Sequence, residues 1–344
     1  MIWVDVLRVI ATFSVVWLHS AAPLLYKYNE LPIVSWWIAN IYDSIVRMCV
    51  PSFFMLSGFL LLNKDEDIYC FFTKRISKVV VPLIIWSVFY ILWKTYYQRM
   101  DVISPHSFYS LIFTPACFHL WFLYAIVGLY LFVPILRVLV RYSSKELLYY
   151  FVILWFVAVS IIPFIEKAIN IKSQIDLKMI SGYVGYLVVG YILGNIKATK
   201  KVFILSIFVF IVSISVTVLG TYFLTNRNDG VFKGYFYSYL SPNVIFMSIA
   251  FFISIKYTSE AVEAFQGNVF KKTIKTLSSA SLGIYFVHIM VFDVLNNGDL
   301  GFQLSSFSIN AIYSVPATAI VTFSLSFLIT YLIQRIPIIQ KIVP

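Results

Sequence analysis

Apolar runs of about twenty residues recur from one end of this chain to the other, and no other feature constrains its fold so tightly. A hydrocarbon core of about 30 Å is crossed by around 20 helical residues at about 1.5 Å per residue. On that yardstick, spans fall at about 3–22, 34–62, 79–97, 118–136, 147–165, 180–196, 202–224, 238–255, 279–297 and 307–334. The second and tenth exceed what a crossing requires, so tilt, a kink or an interfacial stretch must take up the excess. Backbone polar groups in lipid must be satisfied within their own segment, so such runs are helices. The expected fold class is an all-α polytopic membrane protein, a bundle of about ten transmembrane helices. The chain is 61% hydrophobic and 12% charged, whereas soluble domains carry roughly 25% charged residues. No water-soluble fold covers so much apolar surface. Without an internal repeat, linker or low-complexity tract to divide it, the chain reads as one transmembrane domain, 1–344.

The net charge of +11 raises the question of a polyanionic partner. Basic residues are retained on the cytoplasmic side of a membrane protein, so their positions decide. With the N-terminus inside, 17 of the 26 Lys and Arg fall on inner segments and 7 on outer ones, Lys172 and Lys178 among the latter, while Arg47 and Lys94 lie within spans. That bias places both termini in the cytoplasm, calls for an even number of spans, and explains the charge with no nucleic acid as partner. Ser20, Ala21 and Ala22 after an apolar run imitate a signal-peptide cleavage site, but Asp5 and Arg8 interrupt the run and many spans follow, so it is read as the first membrane helix. Cys49, Cys70 and Cys117 form no C-x-x-C pair and have no metal-ligand spacing, so no metal is expected.

Polar groups within spans are costly, and each is a functional candidate by default. In the first span Arg8 and His19 are eleven residues apart, which at about 100° per residue returns to within about 20° of the same direction. Thr12 and Asp5 flank them, so this helix carries one polar stripe that should face the bundle interior. Along the axis Arg8 and His19 are separated by about 16 Å, which puts Arg8 near the inner surface and His19 beyond the midplane. The bland reading, an inner anchor and a packing histidine, stands at even weight with the functional one. In the second span Asp43 precedes Arg47 by four residues and is its expected partner. Pro51 cannot donate to the carbonyl of Arg47, so a kink is expected there. His119 and Trp121 open the fourth span. Ser281, Tyr285 and His288 share a face of the ninth, and for both histidines a packing role is the weightier reading. Lys74, Arg75 and Lys78 form an inner cluster that serves equally as topological anchor or as a phosphate site.

These residues together resemble the acyltransferase 3 family of integral membrane O-acyltransferases. The resemblance lies in Asp5-x-Leu7-Arg8 followed by His19, in Pro51 to Phe59 with Ser57-Gly58-Phe59, and in Lys74-Arg75 leading to Pro82. It continues through His119-Leu120-Trp121-Phe122-Leu123, Gly190-Tyr191 with Gly194, and Leu282-Gly283-Ile284-Tyr285 with His288. It is weakest over about 140–275, which matches mainly in hydropathy. The resemblance implies a ten-span enzyme that takes an acyl group, acetyl foremost, from cytoplasmic acyl-CoA as co-substrate and delivers it to a hydroxyl of a cell-envelope glycan or similar acceptor. It makes Arg8 and His19 the essential pair, and Arg8, Lys74, Arg75 and Lys78 the contacts for the CoA phosphates. His119, Trp121, Ser57 and His288 become acceptor-side candidates. The appended extracellular SGNH-type domain of some members is not expected. Expected partners are acyl-CoA, the acceptor, the lipid bilayer of the plasma membrane and, admissibly, a second copy of the chain. His19 would be the general base, with Arg47 or Tyr285 donating to the thioester oxygen; a covalent acyl-histidine stays open. The rival class is a transporter or flippase of a lipid-linked glycan or polysaccharide, which would use the same polar cavity without making a bond.

Overall fold

The computed structural model describes residues 1–100, 111, 113–169, 182–262, 267–337 and 339–343. Among them 79% are helical and none is in a strand. The helices in chain order are α1 (Ile2–Leu25), α2 (Ile33–Leu62), α3 (Ile68–Tyr96), α4 (Phe118–Tyr142), α5 (Lys145–Lys167), α6 (Val184–Asn195), α7 (Lys200–Asn226), α8 (Tyr235–Ala261), α9 (Asn268–Asn297) and α10 (Ala311–Gln334). All but α6 are long and apolar enough to cross a membrane. At about 1.5 Å per residue the 12 residues of α6 reach about 18 Å, short of the hydrocarbon thickness. Residues 180 and 181, where the sixth span was expected to begin, and Lys172 and Lys178 of the charge count lie outside the described residues.

Helix starts follow local capping. Asp67 accepts the amides of Tyr69 and Cys70, Ser144 that of Leu147, Thr199 that of Val202 and Asn310 that of Ile312, each supplying an acceptor to otherwise orphaned helix amides. Gly298 ends α9 in the left-handed conformation at φ 78°, where a Cβ would be strained. The break expected near Pro51 is present: α2 is interrupted at Arg47 and Met48, and regular helix resumes at Cys49. Two helices start well before the apolar pattern indicated. The third span begins at Ile68, so Lys74 and Arg75 sit on helix, and α9 begins at Asn268, so Lys271, Lys272 and Lys275 extend it.

The second half of α2 and α6 approach closely enough that side chains are excluded between them. A Cβ on Gly58 would stand 2.0 Å from the Leu187 carbonyl oxygen, and one on Gly190 1.9 Å from that of Met55; small residues permit this backbone contact in membrane bundles. Lys256 of α8 closes the end of α6, its ammonium donating to the carbonyls of Gly194 at 2.6 Å, Ile196 at 2.5 Å and Leu193 at 3.3 Å. A cation at a helix C-terminus meets the negative end of the dipole. Helix α7 turns its apolar side outward, with Leu205, Phe208 and Leu219 exposed, and buries Ser206, Ser213, Thr217, Thr221 and Thr225. This inside-out amphipathicity fits lipid as the surrounding solvent.

Contacts between connections sort the bundle into two ends. At one, Arg137 donates to the backbone oxygens of Leu61 (2.9 Å) and Glu66 (3.1 Å), Arg141 pairs with Asp65 (2.9 Å), and Gln334 donates to the Ser279 carbonyl (3.2 Å). At the other, Tyr28 meets Asn226 (3.1 Å), Asn29 meets the Asp229 carbonyl (2.8 Å) and Gln98 meets Asp293 (2.9 Å). The first is the lysine- and arginine-rich end.

Candidate functional site

Two cavities enter the bundle from its opposite ends, and the imidazole of His19 lines both. The first, of about 480 Å³, starts at the basic end between Arg8, Lys64, Arg75 and Lys78 and runs past Thr12, Ser57 and Tyr130 to His19, His119, Trp121, Tyr285 and His288. The second, of about 650 Å³, lies beyond His19 toward the other end. Helical spacing carries the arrangement: Arg8, Thr12 and His19 reach the first cavity from one face of α1, and Ser281, Tyr285 and His288 from one face of α9.

At the basic end the charges are unequal in their freedom. Arg8 donates to the Ser278 hydroxyl at 2.9 Å, which in turn donates to Asp5 at 2.7 Å, and Asp5 stands 3.7 Å from Arg8. Glu66 gathers Lys74 at 2.7 Å, Arg137 at 3.3 Å and Arg75 at 3.6 Å. The hydrogen bond from Lys74 holds the Glu66 carboxyl below its ordinary range, with Arg137 and Arg75 adding to it. Lys64 and Lys78 are exposed at the mouth and have no carboxylate partner among the described residues. The mouth is therefore chemically suited to a phosphate group. Of the cluster anticipated from sequence, Arg75 and Lys78 line the cavity while Lys74 turns to Glu66. Lys64, which the sequence flagged only for topology, joins them.

Three imidazoles meet at the far end of this cavity. The His288 ring is 5.4 Å from that of His19 and 5.1 Å from that of His119. The 2.7 Å contact between His288 Nδ1 and the Tyr285 carbonyl assigns the proton to Nδ1, because a carbonyl only accepts. His288 Nε2 and both ring nitrogens of His119 are buried with no hydrogen-bond partner among the described residues. Buried polar atoms are ordinarily satisfied, so these mark a place built for a polar group that enters. Neutral His119 carries one N–H, an uncommitted donor. The Tyr285 hydroxyl instead donates to the His119 carbonyl, which turns its proton away from the cavity. Trp121 stacks on Tyr239 at 5.7 Å.

Arg47 stands apart from the first cavity. It is fixed to Asp43 at 2.5 Å, as the four-residue spacing indicated, lies 4.1 Å over the Tyr237 ring, and lines the second cavity. That cavity also contains Asp293, which sequence reasoning passed over although a carboxylate within a span is itself a signal.

A family model described as an acyltransferase domain matches residues 1–332. No curated protein and no solved structure matches the chain.

Proposed function

Since the chain belongs to that acyltransferase family and is a multi-pass membrane acyltransferase, we propose that it takes an acyl group, acetyl foremost, from cytoplasmic acyl-CoA and transfers it across the plasma membrane to a hydroxyl of a cell-envelope glycan. The observation that carries this reading is the position of His19 on the wall between two cavities of opposite access.

In this reading the basic end is cytoplasmic. Lys64, Lys78, Arg75 and Arg8 receive the CoA phosphates, with Lys74 at the rim beside Glu66. The thioester arm extends along Thr12 and Ser57 over the roughly 16 Å that separates Arg8 from His19. His19, which makes no hydrogen bond to another described residue, takes the proton of the acceptor hydroxyl as its oxygen forms the new bond to the thioester carbonyl carbon. The carbon–sulfur bond breaks, and the thiolate receives that proton from His19. Charge that develops on the carbonyl oxygen is met by the His119 N–H, while Tyr285 holds the loop that carries it. Arg47, paired in the other cavity, serves the acceptor side.

Membranes holding the protein, supplied with acetyl-CoA labelled in the acetyl group, should deposit label on envelope glycan, and His19→Ala membranes should not. Glycan that moves across the membrane with no label gained would favour a transporter.

A further inference from the structure

Besides His19 and Arg47, the second cavity is lined by polar groups that the transfer step leaves unused. They are Asp293 and Asn296, one turn apart on α9, Thr318 on α10, and Ser305 and Ser306 of the segment between those helices. The Asp293 carboxylate is fixed through one oxygen, Oδ2, which accepts from Trp93 Nε1 at 2.8 Å and Gln98 Nε2 at 2.9 Å; Oδ1 has no partner among the described residues. Thr318 is 2% exposed and its hydroxyl is unpartnered among the described residues. Phe118, Phe292, Phe307 and Tyr26 add aromatic walls, and exposed Tyr26, Asn296 and Phe307 form the rim. The volume of about 650 Å³ is within the roughly 300–1,000 Å³ of small-molecule sites.

The charges around it disfavour an anion as the natural occupant. Arg47 is neutralised by Asp43 at 2.5 Å. Lys27, 5.9 Å from the Phe307 ring, is neutralised by Glu30 at 2.5 Å. Lys94 interacts with Asp293 from outside the lining and donates to the Ala116 carbonyl at 2.6 Å. Arg47 and Lys27 therefore each have a carboxylate at ion-pair distance and Lys94 a carbonyl, in contrast to Lys64 and Lys78 of the first cavity. A free carboxylate oxygen, an amide and a hydroxyl, set among aromatic faces, recognise a ring that presents several O–H donors on one side and C–H on the other.

We propose that the cavity beyond His19 is a binding site for an uncharged sugar residue, with Asp293 Oδ1 accepting from its hydroxyls, and that it discriminates against acidic sugars. Its role as the acceptor site rests on the reading of His19 as the centre of transfer, but binding does not. Full-length protein in lipid nanodiscs tests it through Cys70→Ser/Ser305→Cys, since Cys49 and Cys117 are buried. The rate at which Ser305→Cys reacts with a membrane-impermeant maleimide reports occupancy. Methyl β-glucoside should slow labelling, and methyl β-glucuronide at the same concentration should not. Asp293→Asn should weaken protection by the glucoside roughly tenfold, equivalent to about 1.4 kcal/mol, and Thr318→Val should weaken it while CoA binding at the other end is retained. Equal protection by both glycosides, protection by neither, or undiminished protection in both variants overturns the proposal. Protection without any label moving from acetyl-CoA upholds the sugar site and refutes the transferase mechanism.

Discussion

Replacement of His19 by alanine separates folding from chemistry in a way the structure makes quantitative. The imidazole has aromatic neighbours, Phe118 at 5.2 Å and His288 at 5.4 Å between ring centroids, but no hydrogen bond to another described residue. Truncation therefore strands no buried donor or acceptor, which is the usual origin of large losses. It enlarges a junction that already opens into two cavities, so little cavity cost is added. Unfolding temperature in detergent should consequently stay close to that of the wild type. Acyl transfer should fall by roughly 10²–10⁴-fold, the contribution of a general base, or about 2.7–5.4 kcal/mol of barrier at about 1.36 kcal/mol per tenfold. Arg8→Ala, which removes a contact to the CoA phosphates, should instead act chiefly through KM for acyl-CoA, as expected for binding shared by ground and transition states. The assay is transfer of labelled acetyl from acetyl-CoA at saturating donor, normalised to folded protein. A His19→Ala protein of unchanged stability that retains near-normal transfer would refute the mechanism.

Three further outcomes follow from separate parts of the molecule. Lys64→Ala and Lys78→Ala should each raise KM for acyl-CoA, by up to roughly fivefold for loss of one exposed ionic contact, with kcat retained, whereas Lys74→Ala should change it less; equal effects in steady-state kinetics would contradict the placement of Lys74 on Glu66. Because the native Glu66 carboxyl titrates below its ordinary value, about 4.3, its stabilisation is complete above that value and is lost as pH falls through the lowered one. Wild type and Glu66→Gln should thus differ in Tm at neutral pH and converge in acid. Gly58→Ala must push α6 away from α2 and should destabilise by about 1–3 kcal/mol, measurable by thermal unfolding, while Gly128→Ala, with open space around its Cβ, should be neutral.

Much of the site was legible because helical periodicity fixes which residues of one helix share a face. Arg8 with His19, and Ser281 with Tyr285 and His288, reach one cavity for that reason. The Asp43–Arg47 pair was readable from a four-residue spacing. Periodicity says nothing of where a neighbouring helix presents its own face, and there the reading ran short. Lys74 and Lys64 look interchangeable along the chain, yet Glu66 captures one and leaves the other at the mouth. Ser278, the link between Arg8 and Asp5, lies 270 residues from Arg8, and no local signal announces it. Asp293 was visible as a carboxylate in a span but not as a cavity group, because its partners come from elsewhere in the chain, Trp93 from α3 and Gln98 from the turn that follows it.

The three imidazole nitrogens beside His19 that have no partner among the described residues also bear on fidelity. A pocket that rewards any small hydroxyl does not distinguish an alcohol from water, and water is always present at high concentration. On the proposed mechanism, a donor thioester that arrives before an acceptor sits next to a base and an entrant of the right polarity. The protein should then leak, releasing free acetate slowly from acetyl-CoA when no glycan is supplied. The leak should vanish in His19→Ala and be suppressed as acceptor fills the far cavity and excludes water.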